Sequence, residues 1–158
     1  PSGAHRSGII GEDSRGKPTN LIPLINEVAL GKKDILFVYG NDYNTSDGTG
    51  KRDYIHIDDL AQGHLSALKK LSKQNNICTD INLGTGKSYS VLEVINAFES
   101  ASGRKIPYRI MKRREGDIGE ICADPSYANN FLGWEAKHDL AKMCVDSWRW
   151  KTMNPEGY

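Results

Sequence analysis

The sequence has 158 residues with almost equal numbers of basic (21) and acidic (20) side chains, so its formal net charge is only +1. This balance excludes the strong positive field that binds nucleic acids or anionic membranes, and the apolar runs are too short for a membrane span. Since no signal-like segment opens the chain and the three cysteines lack C-x-x-C spacing, we expect a cytoplasmic protein of about one domain, without disulfides or a zinc site.

Helical and extended periodicities alternate in the first half of the chain. In chain order they predict a helix between Asn20 and Gly31, a strand over 35–39, a loop over 40–50, a short strand over 54–57 and a helix with an apolar stripe from Leu60 to Leu71. Asn20 is the expected N-cap of the first helix, and Asp58 or Asp59 that of the second. The loop over 40–50 would bring Arg52 to the start of the short strand, a common place for binding groups.

The second half shows the same alternation and completes a prediction of mixed α/β structure. It predicts a strand over 81–83, a turn over 84–86, a helix through residue 101, a strand over 108–111, a loop over 113–117, a short helix behind Asp124-Pro125 and a last helix that begins near Asp139. Ser90 and Glu93 have the spacing of a capping box, and Gly103 would end that helix. The spacing of Trp148 and Trp150 in the last helix is more typical of a core face than of a cofactor site.

Two short patterns resemble known motifs but lack a required element. The run from Gly84 to Ser88 resembles the end of a P-loop, which needs a glycine where Ile81 stands. Tyr108 and Lys112 have a Tyr-x-x-x-Lys spacing, but on a predicted strand they would lie roughly 13 Å apart, too far for an acid/base pair. The four histidines show no metal-ligand spacing. We therefore predict no catalytic residue and no metal site in this chain.

Arginine and aspartate stand close together in two separate segments, Arg52-Asp53 and the run from Arg113 to Asp117. Guanidinium groups bind phosphate oxygens in bidentate fashion at any working pH, and a nearby carboxylate can accept from sugar hydroxyls. Two such segments at one pocket would suit a diphosphate. The alternative is a set of ordinary surface ion pairs of little energetic consequence, and the pairs alone favour this alternative.

The two segments belong to a longer series of motifs. In chain order these are Pro1-Ser2-Gly3-Ala4-His5, Gly11-Glu12-Asp13, Asn20-Leu21-Ile22-Pro23, Tyr39-Gly40-Asn41-Asp42-Tyr43, the run from Asp47 to His56, Asn82-Leu83-Gly84-Thr85-Gly86, Arg113-Arg114-Glu115-Gly116-Asp117, Trp148-x-Trp150, Asn154-Pro155 and Gly157-Tyr158. With them the chain resembles, over nearly its whole length, the C-terminal portion of the UDP-glucose 4-epimerases, also called UDP-galactose 4-epimerases. This family belongs to the extended short-chain dehydrogenase/reductase superfamily. The resemblance implies that residues 1–158 form the α/β substrate lobe, with mixed helices and short strands, without the Rossmann cofactor lobe.

The resemblance also implies which residues bind the UDP-sugar. They are Asn20 and Leu21 for the nucleotide and its phosphates, Phe37, Val38 and Tyr39 along the uracil, Arg52 and Arg114 for the diphosphate, Asp117 for the ribose, Tyr54 beside the nucleotide, and Ile121 at the hexose. Burial as a strand residue is an equal alternative for Tyr54. Relatives with a tyrosine at the position of Ile121 are limited to plain hexoses, and a smaller residue admits N-acetylated ones. Isoleucine is neither, so acceptance of UDP-N-acetylglucosamine is a hypothesis, and core filling is its alternative.

Members of this family invert C4 of the hexose through transient oxidation by tightly bound NAD. Their cofactor loop and catalytic tyrosine lie upstream of the position that matches Pro1. We therefore expect this chain to act with an N-terminal NAD-binding lobe, to be inactive alone, and to dimerise only as part of a complete protein. The alternatives are the corresponding lobe of a UDP-glucuronate decarboxylase or a nucleotide-sugar 4,6-dehydratase, which share the Arg-Asp-x-x-His and Arg-x-Gly-Asp patterns, and a standalone sugar-nucleotide binding module.

Overall fold

The computed structural model describes residues 1–14, 16–73, 76 and 78–158. Its elements are α1 (Leu21–Ala29), β1 (Leu36–Tyr39), β2 (Lys51–Asp53), α2 (Ile57–Leu71), β3 (Ser88–Ser90), α3 (Val91–Ser102), β4 (Tyr108–Met111), β5 (Glu120–Ile121), α4 (Ser126–Leu132) and α5 (Leu140–Met153). β1 pairs in parallel with β4, while β2 lies between antiparallel β3 and parallel β5. The predicted mixed α/β structure is confirmed.

The main core lies between α1, α3, α5 and the inner face of β1. Ile25, Val94 and Phe98 are completely buried there, and the ring of Phe98 meets that of Trp148 edge to face at 5.9 Å. Each large apolar side chain buried in this way stabilises the fold by about 1.5–3 kcal/mol. A smaller cluster joins the start of α2 to α4 through Ile55 and Trp134. The main core supports β1 from behind and leaves its other face open.

The ends of α3 follow the sequence prediction. Ser90 Oγ accepts from the main-chain N–H of Glu93 at 3.0 Å, and the carboxylate of Glu93 accepts from the N–H of Ser90 at 2.7 Å. Gly103 then ends the helix with a φ of 67°, a left-handed conformation that costs glycine little. The capping box is confirmed.

Two other predicted caps differ from the structure. Asn20 occupies the N-cap position of α1, but its side chain makes no cap hydrogen bond, and its Nδ2 donates to Glu12 at 3.4 Å. The N-cap of α2 is His56, whose Nδ1 accepts from the N–H of Asp58 at 3.0 Å, so the prediction of an aspartate cap was wrong. Asp59 is buried and accepts instead from the N–H groups of residues 137 and 138.

Two predicted strands are also wrong. The strand expected over 54–57 lies earlier, at β2, where the N–H of Lys51 donates to Gly119 at 2.7 Å and Arg52 is a central strand residue. The apolar alternation after β2 reflects the burial of Ile55 in the smaller cluster. Residues 81–83 form no strand in the described part of the chain, and Ile81 and Leu83 pack against that cluster instead.

Only the beginning of the apolar stripe of α2 reaches a core, where Leu60 packs against the smaller cluster. Leu65, Leu68 and Leu71 are 46%, 62% and 50% exposed, so this face of the helix has no cover within the described residues. None of the helices described here is both long enough and apolar enough to cross a membrane.

Candidate functional site

Two adjoining cavities lie where β1, β2 and the start of α1 meet. Their volumes are about 600 Å³ and about 410 Å³, within the usual range of small-molecule sites. Pro18 and Thr19 line both, so the cavities share a wall. Seven of the ten predicted site residues line them, with Asn20, Leu21, Arg52 and Tyr54 at the larger one and Phe37, Tyr39 and Arg114 at the smaller one.

The side chains of β1 alternate between the core and an open face beside the smaller cavity. Phe37 is 45% exposed, whereas Val38 is 1% exposed and belongs to the core. The N–H groups of Leu36 and Gly40 donate to carbonyls at the β4 side at 2.9 Å. Since alternate residues of a parallel strand bond to the same neighbour, the peptide groups of Phe37 and Tyr39 face the opposite edge. No strand covers that edge in the part of the chain that the structure describes. Two rings and two free peptide groups are therefore available to a planar base, and Val38 offers neither.

The guanidinium of Arg114 lies over the ring of Tyr39, with 4.0 Å between its central carbon and the ring centroid. Such stacking orients the guanidinium and leaves its N–H groups free to donate in the plane. Asp117 is in the same loop, where its N–H donates to the carbonyl of Arg114 at 3.3 Å. The side chain of Asp117 is exposed and lies outside the residues that line the cavities.

Arg52 contacts the segment that follows Arg114. Its Nη1 donates to the carbonyls of Lys51 at 2.8 Å and Ile118 at 2.9 Å. This contact links β2 to the residue that directly follows the run from Arg113 to Asp117. Within the described residues, no carboxylate lies at ion-pair distance from Arg52 or Arg114, so the surface-ion-pair alternative does not apply to them.

Asp53 does not pair with its neighbour Arg52 but binds the turn over 84–86. Its carboxylate accepts from the N–H groups of Thr85, at 3.0 and 3.1 Å, and of Gly86, at 3.0 Å. It also accepts from the hydroxyl of Thr85 at 2.5 Å. The turn over 84–86 is therefore bound to the back of β2, and this explains its glycines and threonine without any phosphate-binding role.

The start of α1 and Tyr54 complete the wall of the larger cavity. The Asn20 side chain makes no cap hydrogen bond to the first N–H groups of α1. N–H groups at the start of a helix favour an anion. Tyr54 packs against the main core, and burial raises the pKa of its hydroxyl to about 12. It therefore remains a neutral hydrogen-bond donor at any physiological pH.

Ile121 lies on β5 directly opposite Arg52 in the strand register. It is 48% exposed, which excludes the alternative that it only fills the core. Pro18 and Thr19, which line both cavities, were not predicted as site residues, and the available signal was their place just before a helix start. The contact between Asp42 and Arg113 was not predicted either, because the two residues stand 71 positions apart.

Known proteins similar to this chain are UDP-glucose 4-epimerases. The human enzyme is 54% identical over 158 residues, which are 100% of this chain and 45% of its own length. The enzyme of Bacillus subtilis (strain 168) is 55% identical, again over all of this chain and over 46% of its own length. The chain thus spans about half the length of the curated relatives it matches.

The similar solved structures are also UDP-glucose 4-epimerases. The UDP-glucose 4-epimerase from Stenotrophomonas maltophila, crystallised with bound NAD and formylated UDP-arabinopyranose, superimposes with a TM-score of 0.95 at 50% identity over 98% of this chain and 46% of that one. The enzyme from Bifidobacterium longum, in complex with NAD+ and UDP, gives a TM-score of 0.91 at 48% identity over 100% of this chain and 47% of that one.

A family model described as GDP-mannose 4,6 dehydratase matches residues 5–147, which is most of the chain. The motifs on which the resemblance rested lie inside or next to this range. The chain therefore belongs to the GDP-mannose 4,6-dehydratase family of extended short-chain dehydrogenases/reductases, and within it is homologous to the UDP-glucose 4-epimerases.

Proposed function

We propose that this chain is the UDP-sugar-binding lobe of a UDP-glucose 4-epimerase. The observation that supports this most directly is the meeting of the two arginine segments, where Arg52 contacts Ile118 at 2.9 Å and Arg114 stands over Tyr39. Two guanidinium groups at adjoining cavities, with no carboxylate at ion-pair distance among the described residues, suit a diphosphate. The UDP-glucose 4-epimerase from Bifidobacterium longum was crystallised in complex with UDP.

In the proposed complex the uracil lies on the open face of β1, between Phe37 and Tyr39, whose free peptide groups hydrogen-bond to its edge. The diphosphate extends from Arg114 towards Arg52 and the N-terminus of α1. Asp117 accepts from the ribose. Tyr54 borders the nucleotide, and Ile121 borders the hexose, where its half-exposed side chain leaves N-acetylated sugars as possible substrates.

The exposed face of α2 supports the proposal that another lobe completes the site. Leu65, Leu68 and Leu71 together form an exposed apolar surface. An amphipathic helix normally buries such a stripe against another part of the protein. The occupant that we propose is an N-terminal NAD-binding lobe. The resemblance supports a cytoplasmic homodimer for the complete protein.

NAD does not fit the residues of this chain. The sequence contains no G-x-G-x-x-G loop and no acidic residue at the ribose-binding distance after a strand. When bound in the other lobe, NAD would accept a hydride from C4 of the sugar and return it. The residues of this chain would bind and orient the UDP-sugar, and no proton or hydride step is assigned to them.

The related decarboxylase and dehydratase remain less supported alternatives. Identities of 52–55% to several UDP-glucose 4-epimerases favour the epimerase over both. A standalone binding module would bind UDP equally well but would gain nothing from a second lobe, so reconstitution distinguishes it.

Calorimetric titration of the chain with UDP and UMP tests the proposed site. UDP should bind, and UMP should bind more weakly because it lacks the second phosphate. Arg114→Ala should weaken UDP binding by about 1.5–3 kcal/mol through loss of a charge-assisted contact.

Arg104→Ala is the matched control, because Arg104 is exposed and lies outside the residues that line the cavities. It should leave the affinity for UDP unchanged. Equal affinities for UDP and UMP, or an Arg114→Ala variant as tight as the wild type, would refute the diphosphate assignment.

A further inference from the structure

One ion pair joins the two loops beside the smaller cavity. Arg113 Nε donates to Asp42 Oδ1 at 3.0 Å, and its Nη2 lies 2.9 Å from Oδ2 and donates to the main-chain oxygen of Asp42 at 2.8 Å. The guanidinium also stands over the ring of Tyr43, at 4.4 Å from its centroid. A planar guanidinium with several partners has a fixed orientation, which a lysine ammonium with the same charge would lack.

The next residue makes a parallel contact with the same turn. Arg114 stacks on Tyr39 at 4.0 Å, while Arg113 contacts Asp42 and Tyr43. Two consecutive arginines therefore contact the two ends of the turn over 39–43. The N–H of Gly40 donates to the carbonyl of residue 111 at 2.9 Å, which extends the pairing of β1 and β4 into this turn. The place where Arg113 is held thus determines where the side chain of Arg114 begins.

Asp42 and Arg113 themselves lie outside the set of described residues that line the two cavities. Their charges compensate each other, and the hydrogen bond from Arg113 lowers the pKa of the Asp42 carboxyl. Their side chains are 65% and 46% exposed, so the pair contributes little to the stability of the fold. Since the three contacts between Arg113 and Asp42 add little to stability, their geometry requires another explanation.

We propose that Arg113, held by Asp42, is a positioning residue that places Arg114 and Tyr39 for UDP binding. This inference rests on the proposed function of the site. It differs from a direct role, in which Arg113 itself would bind a phosphate.

The two roles predict opposite effects when Asp42 is removed. Asp42→Ala deletes a negative charge near an anion site and frees Arg113, so a direct phosphate contact or a general field effect would tighten UDP binding. If Arg113 acts by position, the same change releases the loop that contains Arg114, and UDP binding becomes weaker.

The test is calorimetric titration of the chain with UDP for the wild type, Asp42→Ala, Arg113→Ala, the double variant and the charge-exchanged variant Asp42→Arg/Arg113→Asp. Each single change should weaken UDP binding on the order of three- to tenfold, with no further loss in the double variant because both remove the same contact. The exchanged pair should recover part of the affinity. Arg113→Lys should not restore it, since it keeps the charge but not the planar contacts.

Lys105→Ala is the control, because it removes an ion pair with Glu99 of 2.8 Å at a site away from the cavities. It should leave the UDP affinity unchanged, and thermal unfolding should show that every variant is folded. Unchanged or tighter UDP binding by a folded Asp42→Ala variant would overturn the inference alone. A wild-type chain that binds no UDP would overturn the proposed function and this inference together.

Discussion

His56 shows how one side chain can connect three parts of this molecule. It is completely buried, caps α2 through Nδ1, and places Nε2 3.3 Å from the carboxylate of Asp146 on α5. These contacts require a neutral ring with its proton on Nε2, because Nδ1 must accept. The ring of His138 lies beside it with 4.5 Å between centroids. A second proton on His56 would therefore break the cap and place a charge in the interior.

The stability of the fold should consequently depend on the protonation of His56. Burial, assisted by His138, lowers the pKa of His56 below its ordinary value of 6.5. The unfolded chain then binds more protons than the folded chain as the pH falls below 6.5, so the contribution of His56 to stability, complete above this pH, is lost below it. Urea unfolding of the wild type should show a smaller free energy of unfolding at pH 5.5 than at pH 7.

His56→Gln isolates this effect from the other titrating groups. The variant should be less stable at pH 7, but its free energy of unfolding should change less between the two pH values than that of the wild type. An equal change in both proteins would mean that the folded and unfolded pKa values of His56 do not differ.

Whether a site residue could be predicted from the sequence depends on how far along the chain its partner lies. Arg52, Arg114 and Tyr39 could be selected from the sequence, because their chemistry and the family motifs mark them. Asp42 and Arg113 could not, since only the fold brings residues 71 positions apart into contact. The resemblance implies that Val38 lies along the uracil, yet its side chain belongs to the core, because side chains alternate along β1 and its neighbours occupy the open face.

At the scale of elements, helices were predicted better than strands for a physical reason. The signals that begin and end α3 and α5 are local, such as Ser90 with Glu93, Gly103, and Asp139, which accepts from the N–H of residue 142 at 2.8 Å. A strand exists only where it finds a partner. β2 pairs with β3 over 51–53 and with β5 over 51–52, and neither partner could be located from local sequence.

The capping box of α3 gives an element-level prediction. Ser90→Ala removes the hydroxyl that accepts from the N–H of Glu93 and also contacts the carboxylate of Asp47. The free energy of unfolding should fall by about 0.5–2 kcal/mol, towards the upper end because two partners lose their contact. Urea unfolding followed by circular dichroism measures this loss.

Ser100→Ala in the same helix is the control for that substitution. Ser100 is exposed, and its hydroxyl donates to the carbonyl of Asn96 at 2.9 Å within the same helix. Alanine has the higher helix propensity, so this change should be neutral or slightly stabilising. Equal losses in both variants would show that the effect belongs to the serine side chain in general rather than to the cap.

At the scale of the whole molecule, the position of the cavities and the bare face of α2 have the same explanation. The cavities are lined by the arginine and aromatic side chains to which we assign nucleotide binding, and α2 leaves three leucines exposed. The chain covers 45–47% of the length of the human and Bifidobacterium longum UDP-glucose 4-epimerases. A second lobe that covers α2 would supply both the missing apolar partner and the cofactor.

Reconstitution tests this explanation directly. The chain alone should bind UDP-galactose but convert none of it in the presence of NAD+, because the residues that it contributes only bind and orient the substrate. Addition of the N-terminal NAD-binding half of a homologous epimerase, co-expressed to favour assembly, should give NAD-dependent formation of UDP-glucose. Leu65→Glu/Leu68→Glu should abolish this gain through burial of two unpaired charges while the UDP affinity of the chain stays unchanged. Turnover by the chain alone would contradict the need for a second lobe, and full activity of the reconstituted glutamate variant would contradict the assignment of α2 as the surface that contacts it.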